Sequence, residues 1–166
     1  MPRSEAPFTG GCQCGAVRFR VGRLGRATIC HCRMCQKAFG GFFGPLVSCF
    51  DVAWTRGAPK YFESSDKFRR GFCAACGTPL TYEQIGRPPE QQVEIAIGAF
   101  DDPTLAAPVL QVNPHDKLPF FDGLAALPTR TEYSPGWLEV METPTSHQHP
   151  DHDTDIWPPK EGFARE

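Results

Sequence analysis

Between Ala16 and Val21 the chain reads A-V-R-F-R-V, and the alternation puts Val17, Phe19 and Val21 on one side, as in a half-buried β-strand. Cys12-Gln13-Cys14-Gly15 then falls in the turn leading into that strand. R-M-C-Q-K-A-F (residues 33–39) is long enough for one or two helical turns, stopped by Gly40-Gly41. The apolar run F-F-G-P-L-V-S-C-F (residues 42–50) predicts a strand that Pro45 confines to an edge or a bulge. K-Y-F-E-S-S and K-F-R-R-G-F-C flank a turn at Ser64-Ser65-Asp66, and T-P-L-T-Y-E continues the meander. The most regular alternation runs from Gln92 to Phe100, with Val93, Ile95 and Ile97 opposite Gln92, Glu94 and Ala96, and predicts a central strand. A turn or short helix start follows at Asp101 to Leu105, then a strand at V-L-Q-V and a loop with aromatic anchors at L-P-F-F-D-G-L. No repeat recurs at a fixed period.

This pattern predicts a mainly β fold with short helical turns, and composition agrees: 13 Phe and 17 Pro stand against 3 Tyr, which suits strands and turns rather than a helix bundle. The 166 residues are expected to form one domain, residues 1–142. Residues 143–166, rich in Pro, His and Asp, are too polar to build a core and predict a flexible tail. Its H-Q-H-P-D-H-D stretch reads as solvated rather than metal-binding, and Ile156 and Trp157 are left open between docking on the domain and on a partner. A net charge of -2 supplies no general attraction to nucleic acid or anionic membrane. The N-terminus lacks an apolar core of a signal peptide, and no apolar run nears the ~20 residues of a membrane span. A cytoplasmic protein is the expectation, with homo-oligomerisation left open.

The 8 cysteines change the picture. Disulfide frameworks belong to short secreted chains, whereas clustered thiols in a reducing compartment favour metal. Seven cluster: Cys12 with Cys14, Cys30 with Cys32 and Cys35, and Cys73 with Cys76; Cys49 stands alone in an apolar strand as a small buried hydrophobe. Zinc takes about four ligands, often from two short pairs distant in sequence. C-Q-C and C-A-A-C-G are such pairs and would close a structural four-thiolate site; a redox dithiol at Cys73 and Cys76 is the alternative, short of the βαβ context it needs. Cys30, Cys32 and Cys35 leave one coordination position open, the arrangement of catalytic zinc. His31 alternates away from its neighbours on an extended segment and is expected in a supporting or core position, with a ligand role as the alternative.

The segments G-G-C-Q-C-G-A-V-R-F, C-H-C-R-M-C-Q-K-A-F-G and R-G-F-C-A-A-C-G-T-P-L, in this order and spacing, resemble the glutathione-dependent formaldehyde-activating (GFA) family, whose domain also occurs in centromere protein V. The resemblance spans roughly residues 10 to 125 and implies several coiled antiparallel β-sheets stabilised by zinc, of the β-tent type. It implies two Zn2+ per chain: structural zinc on Cys12, Cys14, Cys73 and Cys76, and catalytic zinc on Cys30, Cys32 and Cys35. The implied activity is a carbon-sulfur lyase acting on S-(hydroxymethyl)glutathione, the adduct of glutathione and formaldehyde. A zinc-stabilised binding module without turnover is the reading from a different class. The family's P-x-x-H-I, lysine, P-W pattern is altered here: Lys117 and Pro119 keep register, but Gln111 stands at the histidine position and Phe120 at the tryptophan position. His115, four residues on, lies roughly 13 Å further along a strand.

An acidic thiol such as glutathione needs cations near the open site. Arg33, Lys37, Arg69 and Arg70 are the candidates in sequence, each with the alternative of a solvated surface charge. Phe39, Phe42 and Phe43 are candidates to wall a pocket, with two of the three expected in the core.

Overall fold

The structure, a computed structural model, describes residues 7–88, 91–142 and 144–158. Among these residues, β1 (Phe8–Gly11), β2 (Arg18–Cys30), β3 (Gly44–Arg56), β4 (Lys60–Glu63), β5 (Phe68–Phe72), β6 (Pro79–Gln84), β7 (Val93–Ala96) and β8 (Leu110–Val112) join in one curled sheet. Two short helices, α1 (Arg33–Phe39) and α2 (Pro135–Glu142), accompany it. The fold is mainly β. Strands follow the order β1-β2-β3-β7-β6-β5-β4, antiparallel throughout, and β8 adds to β2 in parallel.

The long β2–β3 hairpin generates the curl. Its register shifts between Arg18 and Phe19 and again between Leu24 and Ala27, and such irregularities bend a strand and sharpen its twist. β3 occupies one edge of β2 along its length, so β1, opposite residues 18–21, and β8, opposite residues 28–30, share the other. Period-two alternation then gives the sheet two different faces. Phe19, Val21, Val47, Cys49, Leu80 and Ile95 are fully buried on one, where the Phe19 ring meets Trp54 and Phe100 edge-on at 6.0 and 5.2 Å. Cys49 is there as an inert small hydrophobe whose thiol donates to the Val47 carbonyl. Cross-strand pairing places Thr28, Leu46, Ser48, Glu94, Tyr82 and Arg70 together on the other face.

Two elements differ from the sequence reading. The strand after Pro45 is neither an edge nor bulged there; β3 lies between β2 and β7, and Pro45 is tolerated because pairing with β7 begins only at Leu46. The strand expected over Gln92 to Phe100 is β7 alone, followed by a 3-10 turn at Ile97–Ala99. Ala96, Ile97, Ala99 and Phe100 are all buried, a pattern that departs from the period-two alternation of a strand with one open face. α1, by contrast, spans the predicted residues and ends on Gly40.

The polar C-terminal segment lies against the first cysteine turn. The His149 backbone N–H donates to the Gln13 carbonyl at 2.7 Å, and Trp157 Nε1 donates to the Cys14 carbonyl at 2.6 Å. Arg18, 3% exposed, is held between Asp101 and Asp153 at 2.6 and 2.7 Å, while Arg56 donates to the Thr154 carbonyl. The buried His149 ring fills the space that a side chain on Gly15 would take. Trp157 thus docks on this domain, whereas Ile156 is exposed. Gly15 also has φ +77°, so Gly15→Ala is expected to cost about 1–2 kcal/mol, roughly 3–6 °C in Tm, and to expose residues 144–158 to protease. Thermal melting with limited proteolysis checks this, and unchanged behaviour in both would refute the packing argument.

Candidate functional site

Each cysteine cluster is built by turns whose geometry its own residues dictate. In the first, Cys12-Gln13-Cys14 reverses the chain between β1 and β2, and Cys73-Ala74-Ala75-Cys76 reverses it between β5 and β6. Gly15 and Gly77 follow the second cysteine of each pair at φ +77° and +78°, a conformation open to glycine at little cost. All four Sγ atoms lie within 4.8 Å of one another, with Cys12 to Cys14 at 3.6 Å and Cys14 to Cys73 at 3.9 Å. Zinc-sulfur bonds of ~2.3 Å in a tetrahedron give sulfur edges of ~3.8 Å, so the donor set fits zinc. Backbone N–H groups of Val17 and Ala75 point at Cys12 and Cys73 Sγ, and the Thr78 hydroxyl lies 3.1 Å from Cys76 Sγ. Burial pushes the Cys12 thiol up to about 12 and raises that of Cys14. Cys76 goes the other way: burial opposes ionisation, but donors from Thr78 and Cys14 bring it down to about 6.

The second cluster gathers the end of β2 and the start of α1. Cys30 is the last residue of β2, Cys32 is the N-cap of α1, and Cys35 lies in its first turn, with their three Sγ atoms within 4.8 Å of one another. Each sulfur accepts a nitrogen donor: Cys30 from Asn113 Nδ2 at 3.4 Å, Cys32 from the Cys35 backbone at 3.4 Å, and Cys35 from Arg70 Nη2 at 3.5 Å. Donors aimed at sulfur stabilise thiolate, which is the metal-binding form. For Cys30, burial disfavours the thiolate, yet the Cys32 backbone and the Asn113 amide outweigh it and lower the pKa. For Cys35 burial wins, up to about 12, although Arg70 pulls downward. Both clusters are suited to metal.

These three sulfurs line a cleft of about 730 Å³ that runs over the polar face of the sheet. Arg23, Arg26 and Arg70 bring positive charge, and Glu94 brings one carboxylate, held by the Ser48 hydroxyl at 2.8 Å and the Gln92 amide at 2.6 Å. Asn113 sits at the mouth with φ 51°, a left-handed conformation for which Asn is among the best-suited side chains, immediately before Pro114 and a 3-10 turn.

His31 is completely buried and turned away from the sulfurs, with its ring 4.7 Å from Phe121 and 6.4 Å from Phe43. Its Nε2 donates to Gln111 Oε1 at 2.8 Å, while its backbone N–H joins the Val112 carbonyl. Gln111, on the exposed strand β8, therefore ties that strand to His31, and it does not line the cleft.

A family model for the glutathione-dependent formaldehyde-activating enzyme matches residues 7–115. This chain belongs to that family. A crystal structure of a Rhodobacter sphaeroides protein is similar over 63% of this chain and 99% of that one, at 20% identity and a TM-score of 0.49.

Among the cations named from sequence in this GFA chain, Arg70 alone reaches the sulfurs. Arg69, its neighbour on β5, points to the opposite face and pairs with Glu83 at 2.8 Å over the Tyr61 ring, because successive strand residues alternate. Arg33 and Lys37 line a shallower groove beside the cleft. Phe39 packs against the core, Phe43 against Phe121 and His31, and Phe42 is 45% exposed against Phe120; none of them walls the cleft. Arg23, Arg26, Tyr82, Glu94 and Asn113 escaped the sequence reading. The first two belong to the part of β2 beyond Val21, where the bulge between Leu24 and Ala27 breaks the alternation that would have revealed their face.

Proposed function

We propose that the chain is a zinc-dependent carbon-sulfur lyase that forms or cleaves an S-(hydroxymethyl)glutathione-like thiol-aldehyde adduct in the cleft at Cys30, Cys32 and Cys35. The observation that carries this reading is the three-sulfur cluster, with each sulfur met by a nitrogen donor, opening onto a charged cleft of about 730 Å³. Three protein ligands leave room for an exchangeable fourth, and zinc bound there would take the incoming thiol and favour its thiolate near neutral pH.

The chain's own residues supply the rest. Glutathione carries two carboxylates and one ammonium group; Arg23, Arg26 and Arg70 match the former and Glu94 the latter. In the forward direction the sulfur-carbon bond forms as the carbonyl π bond opens, and the thiol proton ends on the oxygen. The Asn113 amide has two N–H donors, one reaching Cys30 Sγ, and the other serves the oxygen as it gains charge. Closed coordination at Cys12, Cys14, Cys73 and Cys76 suits a second, structural zinc. A chain with this many reduced thiols suits the cytoplasm.

Formaldehyde-dependent consumption of glutathione, followed by proton NMR, tests the proposal. The expected result is a rate well above spontaneous addition that falls to background when Cys32 is replaced. A rate equal to the spontaneous one at saturating zinc would leave a zinc-stabilised binding module.

A further inference from the structure

Beside the sulfur cleft lies a second depression of about 390 Å³, lined by Arg33, Met34, Lys37, Ala38, Phe62 and Arg70, with Ser64 at its edge. Met34 and Arg70 line both spaces, so the two adjoin across these side chains. Its floor is apolar and solvent-facing: Met34 is 57% and Phe62 65% exposed, on α1 and β4 respectively. Three cations line it, and among the described residues no carboxylate does. An exposed apolar floor ringed by one sign of charge fits an apolar-bodied anion, because the body removes Met and Phe surface from water while the acid meets the cations.

Formaldehyde, a single carbon, has nothing to place there. Resting on the lyase reading above, we infer that the adduct this chain handles carries a larger carbon half: an aldehyde with an apolar chain ending in a carboxylate, lying over Met34 and Phe62 with its acid between Arg33 and Lys37. The chemistry is the same balanced addition. The thiol sulfur bonds to the carbonyl carbon, the π bond opens, and the thiol proton moves to the oxygen.

Stable thioethers separate recognition from turnover. S-methylglutathione, S-hexylglutathione and S-(5-carboxypentyl)glutathione would be titrated calorimetrically into the zinc-loaded full chain. The carboxypentyl compound is expected to bind about tenfold or more tightly than the methyl one, with the hexyl compound between them. Phe62→Ser is expected to remove most of the gain for both longer compounds and leave S-methylglutathione binding unchanged. Lys37→Glu is expected to weaken the carboxypentyl compound selectively. Equal affinity for all three overturns the inference and leaves the lyase reading standing. A hexyl compound as tight as the carboxypentyl one overturns the acidic half of it. Failure of all three to bind, with no turnover of glutathione and formaldehyde, removes the lyase reading as well.

Discussion

Cys76→Ser is expected to abolish folding, whereas Cys32→Ser is expected to leave a folded chain without turnover. The four-cysteine cluster ties the turn before β2 to the turn before β6, two segments about sixty residues apart, with Cys12 and Cys73 almost fully buried. Structural zinc in finger peptides contributes about 10–16 kcal/mol, as much as the whole net stability of a typical domain, about 5–15 kcal/mol. One lost thiolate therefore removes the margin. Cys32 stands in a different mechanical position. It is the N-cap of α1, accepting from the Cys35 backbone, and serine is itself a preferred N-cap. The β2–β3 ladder ends at the pair Cys30 and Gly44, so Cys32 takes no part in its backbone pairing. Circular dichroism, zinc per chain and glutathione consumption together decide the matter: near-native spectra with about one zinc and no turnover for Cys32→Ser, and unfolded spectra for Cys76→Ser. Equal loss of structure in both would show that the clusters do not divide structural and chemical roles.

Arg70→Met should lower kcat/KM for adduct formation roughly 10–100-fold with the fold retained. The residue is 9% exposed, and its guanidinium lies 3.5 Å from Cys35 Sγ and 4.8 Å over the Tyr82 ring. Charge-assisted hydrogen bonds of this kind contribute about 1.5–3 kcal/mol, and methionine keeps most of the packing while removing the charge. Burial is the largest influence against the Cys35 thiolate, with Cys30 and Cys32 adding to it, and Arg70 is the group that opposes it. The variant should accordingly hold metal at the second cluster less firmly, released faster to a chelator, while the four-cysteine site keeps its own. Arg69→Met, on the other face of β5, is the matched control and should change kcat/KM by less than about twofold. Similar losses in the two variants would assign Arg70 a packing role only.

Much of this architecture was legible along the chain because it rests on local periodicity. Val17, Phe19 and Val21 alternate and are buried; the meander of β4, β5 and β6 follows its turn residues; α1 spans Arg33–Phe39 and stops at Gly40. The short cysteine runs were equally readable, since the spacing within each is a short-range property, and two such pairs distant in sequence commonly share one zinc. His31 turns away from Cys30 and Cys32 for the same reason that any extended residue opposes its neighbours.

What lay outside that reach depends on pairing between distant segments. Arg69 and Arg70 are equivalent in sequence, and only the register Arg70 to Tyr82 to Glu94 to Ser48 puts Arg70 over the sulfurs and Arg69 against Glu83. Asn113 reaches Cys30 because β8 adds in parallel to β2, pairing Val112 with Cys30, and the same addition explains why Gln111 holds His31 instead of facing the cleft. Docking of residues 144–158 on the first cysteine turn rests on contacts across more than ninety residues, through Arg18, Arg56 and the space above Gly15. By itself, then, the sequence determined the β4–β6 meander, the helix α1, the three-cysteine cluster and the two short pairs of the four-cysteine cluster, because each arises from side chains within a few residues of one another. Tertiary structure alone decided which cations, which amide and which face of the sheet meet those sulfurs, because a single residue of register moves a side chain to the opposite face.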